Sequence, residues 1–174
     1  MADRITTIET KISDLIKIIV KPTTPVSDVY NYYSTTGTVQ IEDEVLSLAI
    51  NVTDKLVNYV IYLEEPEINN EWSIGQSAYT NTLNFRINAR VHNVGSESNP
   101  KFEINQKMNE VISDFKYLFG ANHTLVGTCN YARYTRSTRN VEASNNRILA
   151  GNIDIYVTVN YSQSLGNPNL GACI

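Results

Sequence analysis

Residues suited to redox, metal or nucleotide chemistry are scarce in this chain. Only two of its 174 residues are cysteines, Cys129 and Cys173, and they form neither a CxxC pair nor a zinc-ligand spacing. A disulfide between them stays open on the sequence; the simpler expectation is a buried Cys129 and a tail Cys173. The two histidines, His92 and His123, stand apart from any triad or metal motif, so solvated or hydrogen-bonded roles are expected. Glycine is sparse as well, at 8 residues, and there is no GxGxxG, GxxxxGK[ST] or GxSxG. A phosphate-cradling loop and a nucleophile elbow are therefore not expected. The sequence predicts no catalytic site, no cofactor and no metal.

Charge is also low. Charged residues make up 18% of the chain, the net charge is -4 and the pI is near 5.2. A dedicated nucleic-acid binder usually carries a basic footprint, so this balance argues against one while allowing a single basic patch. Long hydrophobic runs are missing too. The longest stretch near the start, Leu15 to Val20, is broken by Lys17 and is too short for a membrane span. The opening MADRITTIETK carries acidic residues and no apolar segment, which predicts no secretory route. Three glycosylation sequons, at Asn51, Asn122 and Asn160, are then idle.

What is present is a hydrophobic share of 42% with a tyrosine-heavy aromatic set: 11 Tyr against 4 Phe and 1 Trp. This is not the composition of disorder. Tyrosine suits surfaces that are apolar yet partly wet, subunit interfaces among them. The length fits one domain with a real core.

Periodicity gives the elements. Ile5, Ile8, Ile12, Leu15, Ile16 and Ile19 recur at spacings of three and four, predicting a helix over 3–21 with Asp3 as its N-cap and Pro22 beyond its end. Residues 29–33 (VYNYY) read as a short strand, and 38–50 fit an edge strand or a short helix equally. Residues 55–63 read as a strand. The next long segment, 79–94, alternates strictly: Leu83, Phe85, Ile87, Ala89 and Val91 on one face, Asn84, Arg86, Asn88, Arg90 and His92 on the other. A second helix is predicted over 101–119, its apolar side lined by Phe102, Met108, Val111, Ile112, Phe115, Leu118 and Phe119, with Gly120 as its C′ stop. Two long strands follow, about 125–139 and 147–162. In the second, Ile153, Ile155, Val157, Val159 and Tyr161 share a face. The polar connector predicts a hairpin. The expected fold is α+β: two helices packed on one face of a mostly antiparallel sheet, with a projecting C-terminal hairpin. Residues 1–163 form the single domain and 164–174 a C-terminal extension.

Within the hairpin lies NYARYTRSTRN, residues 130–140, which gathers Arg133, Arg136 and Arg139 in an acidic chain. On a regular strand Arg133 and Arg139 share one face with Tyr131, while Arg136 takes the other with Tyr134. Arg147 opens the return strand. Arginines on a projecting hairpin make a contact device for carboxylates or phosphates, although solvated strand charges are the plainer alternative. The acidic partners are concentrated in two runs, Glu42, Asp43 and Glu44, and Glu64, Glu65 and Glu67. Either run can bind a cation or serve as a solvated turn, and the turn is the better reading. Arginines of one subunit against an acidic turn of the next make a head-to-tail contact, which closes into rings.

The layout then becomes familiar. An amphipathic N-terminal helix, a strand region, a long alternating strand ending Arg90-Val91-His92-Asn93, a second helix KMNEVISDFKYLF and a closing hairpin ending IDIYVTVNYSQ resemble the tail terminator, or tail-completion, proteins of long-tailed bacteriophages. The resemblance covers roughly residues 3–163 and rests on element order, length and the terminal strand pattern. It implies a hexameric ring without catalysis or cofactor that caps the finished tail tube and joins it to the head. It further implies tail-tube and head-completion or connector proteins as partners, DNA passing through the lumen, no membrane, and assembly in the host cytoplasm into the virion. Arg133, Arg136, Arg139 and Arg147 then face the lumen or the neighbouring subunit. The chain differs from smaller members in its longer region 34–54 and its extension 163–174. Competing expectations are another virion part, such as a tube, connector or baseplate protein, a nucleic-acid-binding module, and an enzyme.

Overall fold

The computed structural model describes residues 4–17, 19, 39–41, 57–64, 78–92, 100–144 and 147–164. In order these form α1 (Arg4–Lys17), β1 (Val39–Ile41), β2 (Val57–Glu64), β3 (Ala78–His92), α2 (Pro100–Ala121), β4 (Tyr131–Ser144) and β5 (Arg147–Ser164). The predicted strand at 29–33 and most of the ambiguous 38–50 segment lie outside the described residues. So do Asp3, Trp72, Cys173 and residues 165–174.

The strands make one sheet in the order β1-β2-β3-β5-β4. β2, β3, β5 and β4 pair antiparallel, and three-residue β1 adds to the β2 edge in parallel. The fold is therefore α+β, as the element order predicts. β4 and β5 form the expected hairpin. β3 ends at the His92–Ala150 pair, so residues 147–149 of β5 and 143–144 of β4 run past it. The hairpin arginines 133, 136 and 139 lie instead on the stretch of β4 paired with the body of β5.

One face of this sheet is the core. Leu83, Phe85, Ile87, Ala89 and Val91 of β3 are buried with Ile153, Ile155, Val157, Val159 and Tyr161 of β5, matching the alternation in the sequence. Both helices cover that face. α1 buries Ile8, Ile12, Leu15 and Ile16, and α2 buries Ile104, Met108, Val111, Phe115, Leu118 and Phe119. All belong to one cluster with Ile61, Leu125 and Ala132. Each fully buried large apolar side chain contributes roughly 1.5–3 kcal/mol, so this cluster is the main source of the sheet–helix packing. Phe102, expected on the apolar side of α2, is instead 64% exposed. Ile104, two residues on, takes the inward place.

α2 packs close to β5 because Gly151 has no side chain. A Cβ there would stand 2.7 Å from Met108 Sδ and 2.8 Å from Ile104 Cγ2.

Two boundaries differ from expectation, and both have local causes. α2 does not stop at Gly120. It continues to Ala121, and Asn122 then donates both its backbone N–H and its side-chain Nδ2 to the Leu118 carbonyl, at 3.0 and 2.9 Å. The predicted strand start near 125 is a tight turn. Leu125, Val126 and Gly127 all take positive φ, at 47°, 59° and 79°. The left-handed region disfavours a β-branched residue such as Val126. Opposing this strain, Leu125 is fully buried, Thr128 and Cys129 both donate to the Thr124 carbonyl, and Arg4 donates to the Thr128 carbonyl.

Candidate interaction face

Both helices lie on the core face, so the opposite face of the sheet carries the even-numbered residues of β3 and β5. On β3 these are Asn84, Arg86, Asn88 and Arg90; on β5, Asn152, Asp154, Tyr156, Thr158 and Asn160. All are partly exposed. Tyr62 and Glu64 of β2 stand opposite Arg86 and Asn84, on the same face.

The disposition of the β4 arginines departs from simple alternation. Arg133 pairs with Thr158 and Tyr134 with Val157, but Arg136 pairs with Tyr156, which leaves Thr135 as an extra, bulged residue. A bulge inserts one residue and reverses the face of everything beyond it relative to the sequence count. Arg133 and Arg136 therefore share the open face with Tyr131. Arg139, opposite Ile153, is turned to the helix side, where its Nη1 donates to Asn109 Oδ1 of α2 at 2.5 Å. Tyr134 is also on the helix side, with Lys116 Nζ 5.5 Å from its ring centre and its hydroxyl donating to Ser137 Oγ. The expected grouping of Arg133 with Arg139 is corrected by this one residue. Thr135 secures the bulge by donating its hydroxyl to the Tyr156 carbonyl at 3.0 Å.

The result is a row running across four strands: Tyr62, Arg86, Tyr156, Arg136. Arg86 lies over the Tyr62 ring at 4.7 Å and Arg136 over the Tyr156 ring at 4.3 Å. One step along, Arg133 lies 5.8 Å from the Tyr131 ring centre. Such cation–ring contacts are worth about 0.5–1 kcal/mol each at exposed sites. A cavity of about 200 Å³ opens beside the row, lined by Glu64, Asn84, Thr135, Arg136, Tyr156 and Thr158.

Cross-strand hydrogen bonds fix the rest of the face. Asn88 donates to Asp154 at 2.9 Å, and Thr158 donates to Asn84 at 3.0 Å. Arg90 forms an ion pair with Glu142 at 2.7 Å, and Asn152 donates to the other oxygen of that carboxylate. Arg86, Arg133 and Arg136, by contrast, have tyrosine rings and no carboxylate partner among the described residues. The Nε atoms of Arg86 and Arg90 are buried without a hydrogen-bond acceptor among the described residues.

Of the residues singled out in the sequence, the open face brings together Arg133, Arg136 and Glu64, excludes Arg139, and adds Arg86, Tyr62 and Tyr156. The sequence signal for Arg86 and Tyr156 is the strict alternation of 79–94 and 153–161, which sets both on the polar side; Tyr62 carried no such signal. Glu42, Asp43, Glu44, Glu65, Glu67 and the Arg147 side chain lie outside the described residues. Among the described residues no group of His, Cys, Asp and Glu is placed to hold a metal ion, and no helix is long and apolar enough to cross a membrane. Cys129 is a free, buried thiol, pushed up to about 11 by burial, with Arg4 acting weakly in the opposite direction. No known protein-family model matches the chain, and no curated protein matches it.

Proposed function

We propose that the chain is a structural ring subunit of a long-tailed phage, a tail terminator that closes the end of the tail tube and joins it to the head, with DNA passing through the lumen. The role involves no catalysis and no cofactor, and its partners are further copies of itself, the tail-tube protein and a head-completion or connector protein. It acts in the virion after assembly in the host cytoplasm.

The element order supports this reading: an amphipathic helix, strands, a long alternating strand, a second helix and a closing hairpin follow the layout of that family. The observation that carries it is the open sheet face. Both helices lie on the other side, and the guanidinium carbons of Arg86, Arg136 and Arg133 stand 4.7, 4.3 and 5.8 Å from tyrosine ring centres, with no carboxylate partner among the described residues. A rigid face of aromatic rings and planar cations has the composition of a subunit contact, where tyrosine and arginine are enriched.

Light scattering over a hundredfold range of protein concentration tests the proposal. A ring subunit reaches a plateau at one closed mass. A tube protein keeps growing with concentration. The arginine–tyrosine stacks also suit a single-stranded nucleic acid, whose bases stack on such rings. That second reading requires a monomer whose DNA affinity falls steeply with salt.

A further inference from the structure

We propose that the outer edge of β4, over residues 136–142, takes an extended acidic strand of a partner protein by main-chain pairing. This goes beyond the ring reading and concerns the edge of the sheet rather than its face.

The first observation is the direction of the backbone. β4 ends the sheet order, so among the described strands only β5 pairs with it. Ala132, opposite Val159, sends its N–H away from β5 to the His123 carbonyl. In an antiparallel pair, residues whose backbone groups face the neighbouring strand alternate with residues whose groups face away. The register of β5 against β3 is unbroken from Gly151 to Tyr161, so its odd-numbered residues keep one direction throughout. The β4 residues opposite them therefore share the outward direction of Ala132. These are Ser137 against Ile155, Arg139 against Ile153 and Val141 against Gly151. The His123 carbonyl takes the outward N–H of Ala132. Among the described residues, none bonds to the outward backbone groups of Ser137, Arg139 and Val141. The stretch 136–142 has the length of an ordinary strand.

The second observation is charge of one sign on both flanks of that edge. Past the Thr135 bulge, Arg136 lies on the open face and Arg139 on the helix side, and both are exposed. Exposed Lys116 of α2 adds to the helix side, 5.5 Å from the ring centre of Tyr134. Glu142, which closes the stretch, is already engaged by Arg90 and Asn152. A strand laid along this edge thus has a cation beside it on either face. Its own side chains alternate between the same two faces. Two carboxylates three positions apart on it fall on opposite faces. In an antiparallel arrangement one meets Arg136 and the other Arg139.

Charge also decides the occupant. The β4 of a second copy brings the same arginines, like against like, and charged side chains of this kind keep edge strands from pairing with one another. The β1 of a second copy, Val39–Ile41, offers three residues and no carboxylate. Nucleic acid supplies phosphate for the arginines but no peptide groups for the edge. An acidic peptide supplies both, pairing its main chain with Ser137, Arg139 and Val141 and its carboxylates with the guanidinium forks.

The test uses the full-length chain and a labelled synthetic peptide of about ten residues, built of valine and threonine with two glutamates three positions apart. Fluorescence anisotropy should show saturable binding. Arg139→Glu alone, which leaves the open face untouched, should weaken it by roughly tenfold. Adding Arg136→Glu should abolish it, and a peptide with lysines in place of the glutamates should bind that double variant instead. Peptides N-methylated at alternate amides separate strand pairing from charge attraction. Methylation of the amides facing β4 should abolish binding, and methylation of the opposite set should leave it intact. A thermal melt establishes that each variant is folded. Should a glutamate variant unfold, Arg136→Gln with Arg139→Gln should weaken binding without repulsion.

Absence of binding to the wild type overturns the proposal. So does equal binding by the arginine variants, and so does equal binding of the two methylated peptides, which leaves charge attraction alone. Loss of wild-type oligomer mass on adding the peptide, read by light scattering, places a second copy on this edge and overturns the assignment to a different protein. The ring reading keeps its own test, the plateau mass of the wild type without peptide.

Discussion

Arg136 pairs with Tyr156 across the β4–β5 boundary, and its guanidinium carbon stands 4.3 Å from the centre of that ring. The pair exists because Thr135 bulges out of β4 immediately before it. Three arginines spaced three apart in sequence thereby separate into two kinds. Arg133 and Arg136 belong to an open face, and Arg139 belongs to the edge of a helix.

The first prediction follows from that separation. Arg139→Ala removes one hydrogen bond to exposed Asn109 and should lower stability by no more than about 1 kcal/mol. It should leave the oligomer mass unchanged, whereas Arg133→Ala with Arg136→Ala should reduce it. Light scattering of the two variants side by side decides. Equal losses of assembly from both would contradict the division of faces.

Gly151 is a packing requirement. Any side chain there meets Met108 Sδ and Ile104 Cγ2 under 3 Å away. Met108 can swing aside, but Ile104 is stiff at its β-branch. Gly151→Ala should therefore destabilise by roughly 1–3 kcal/mol, the usual range for overpacking. A denaturant melt with an unchanged midpoint would show that α2 sits farther from β5 than described.

The left-handed turn predicts a gain. Val126 is 72% exposed at φ 59°, so its side chain contributes little to the core while straining the backbone. Val126→Asn places a residue that tolerates this region and should stabilise by on the order of 1 kcal/mol. A lower melting temperature in this variant would argue that Val126 packs against something in the folded state.

Cys129 predicts a pH dependence. Its thiol is pushed from the ordinary 9.0 up to about 11, chiefly by burial. Between those values the unfolded chain has released the proton and the folded chain still holds it. Stability from this group is thus complete below pH 9 and is lost as pH rises towards 11. In a Cys173→Ser background, Cys129→Ala should lose less stability over that window than its parent, as read by urea melts at pH 8 and pH 10.5. Identical losses would mean that the thiol is not buried.

Much of this architecture was legible because burial writes itself into alternation. Leu83 to Val91 and Ile153 to Tyr161 read as two half-buried strands, and the isoleucine stripe of α1 read as a helix facing a core. Those patterns already set Arg86 and Tyr156 on the polar side. The bulge was not legible. Thr135 has nothing in its type that marks it as the extra residue, and its place is set by which of its neighbours the core accepts: Tyr134 against Val157 and Ser137 against Ile155. A period-two count through it puts Arg136 on the wrong face. Gly120 misled for a related reason. Glycine at a helix end is a good stop signal, but here burial of Leu118, Phe119 and Leu125 carries the helix past it and moves the left-handed residues to 125–127. Tertiary burial overrode the local signal in both places.

On the proposed reading, open-face arginines join copies of this chain into a closed ring. Negative-stain class averages of the purified wild-type chain, beside those of the Arg133→Glu, Arg136→Glu variant, test it most directly. Wild-type rings of one copy number with a central opening, and none in the variant, are expected. Rings of the same form in both samples would contradict it.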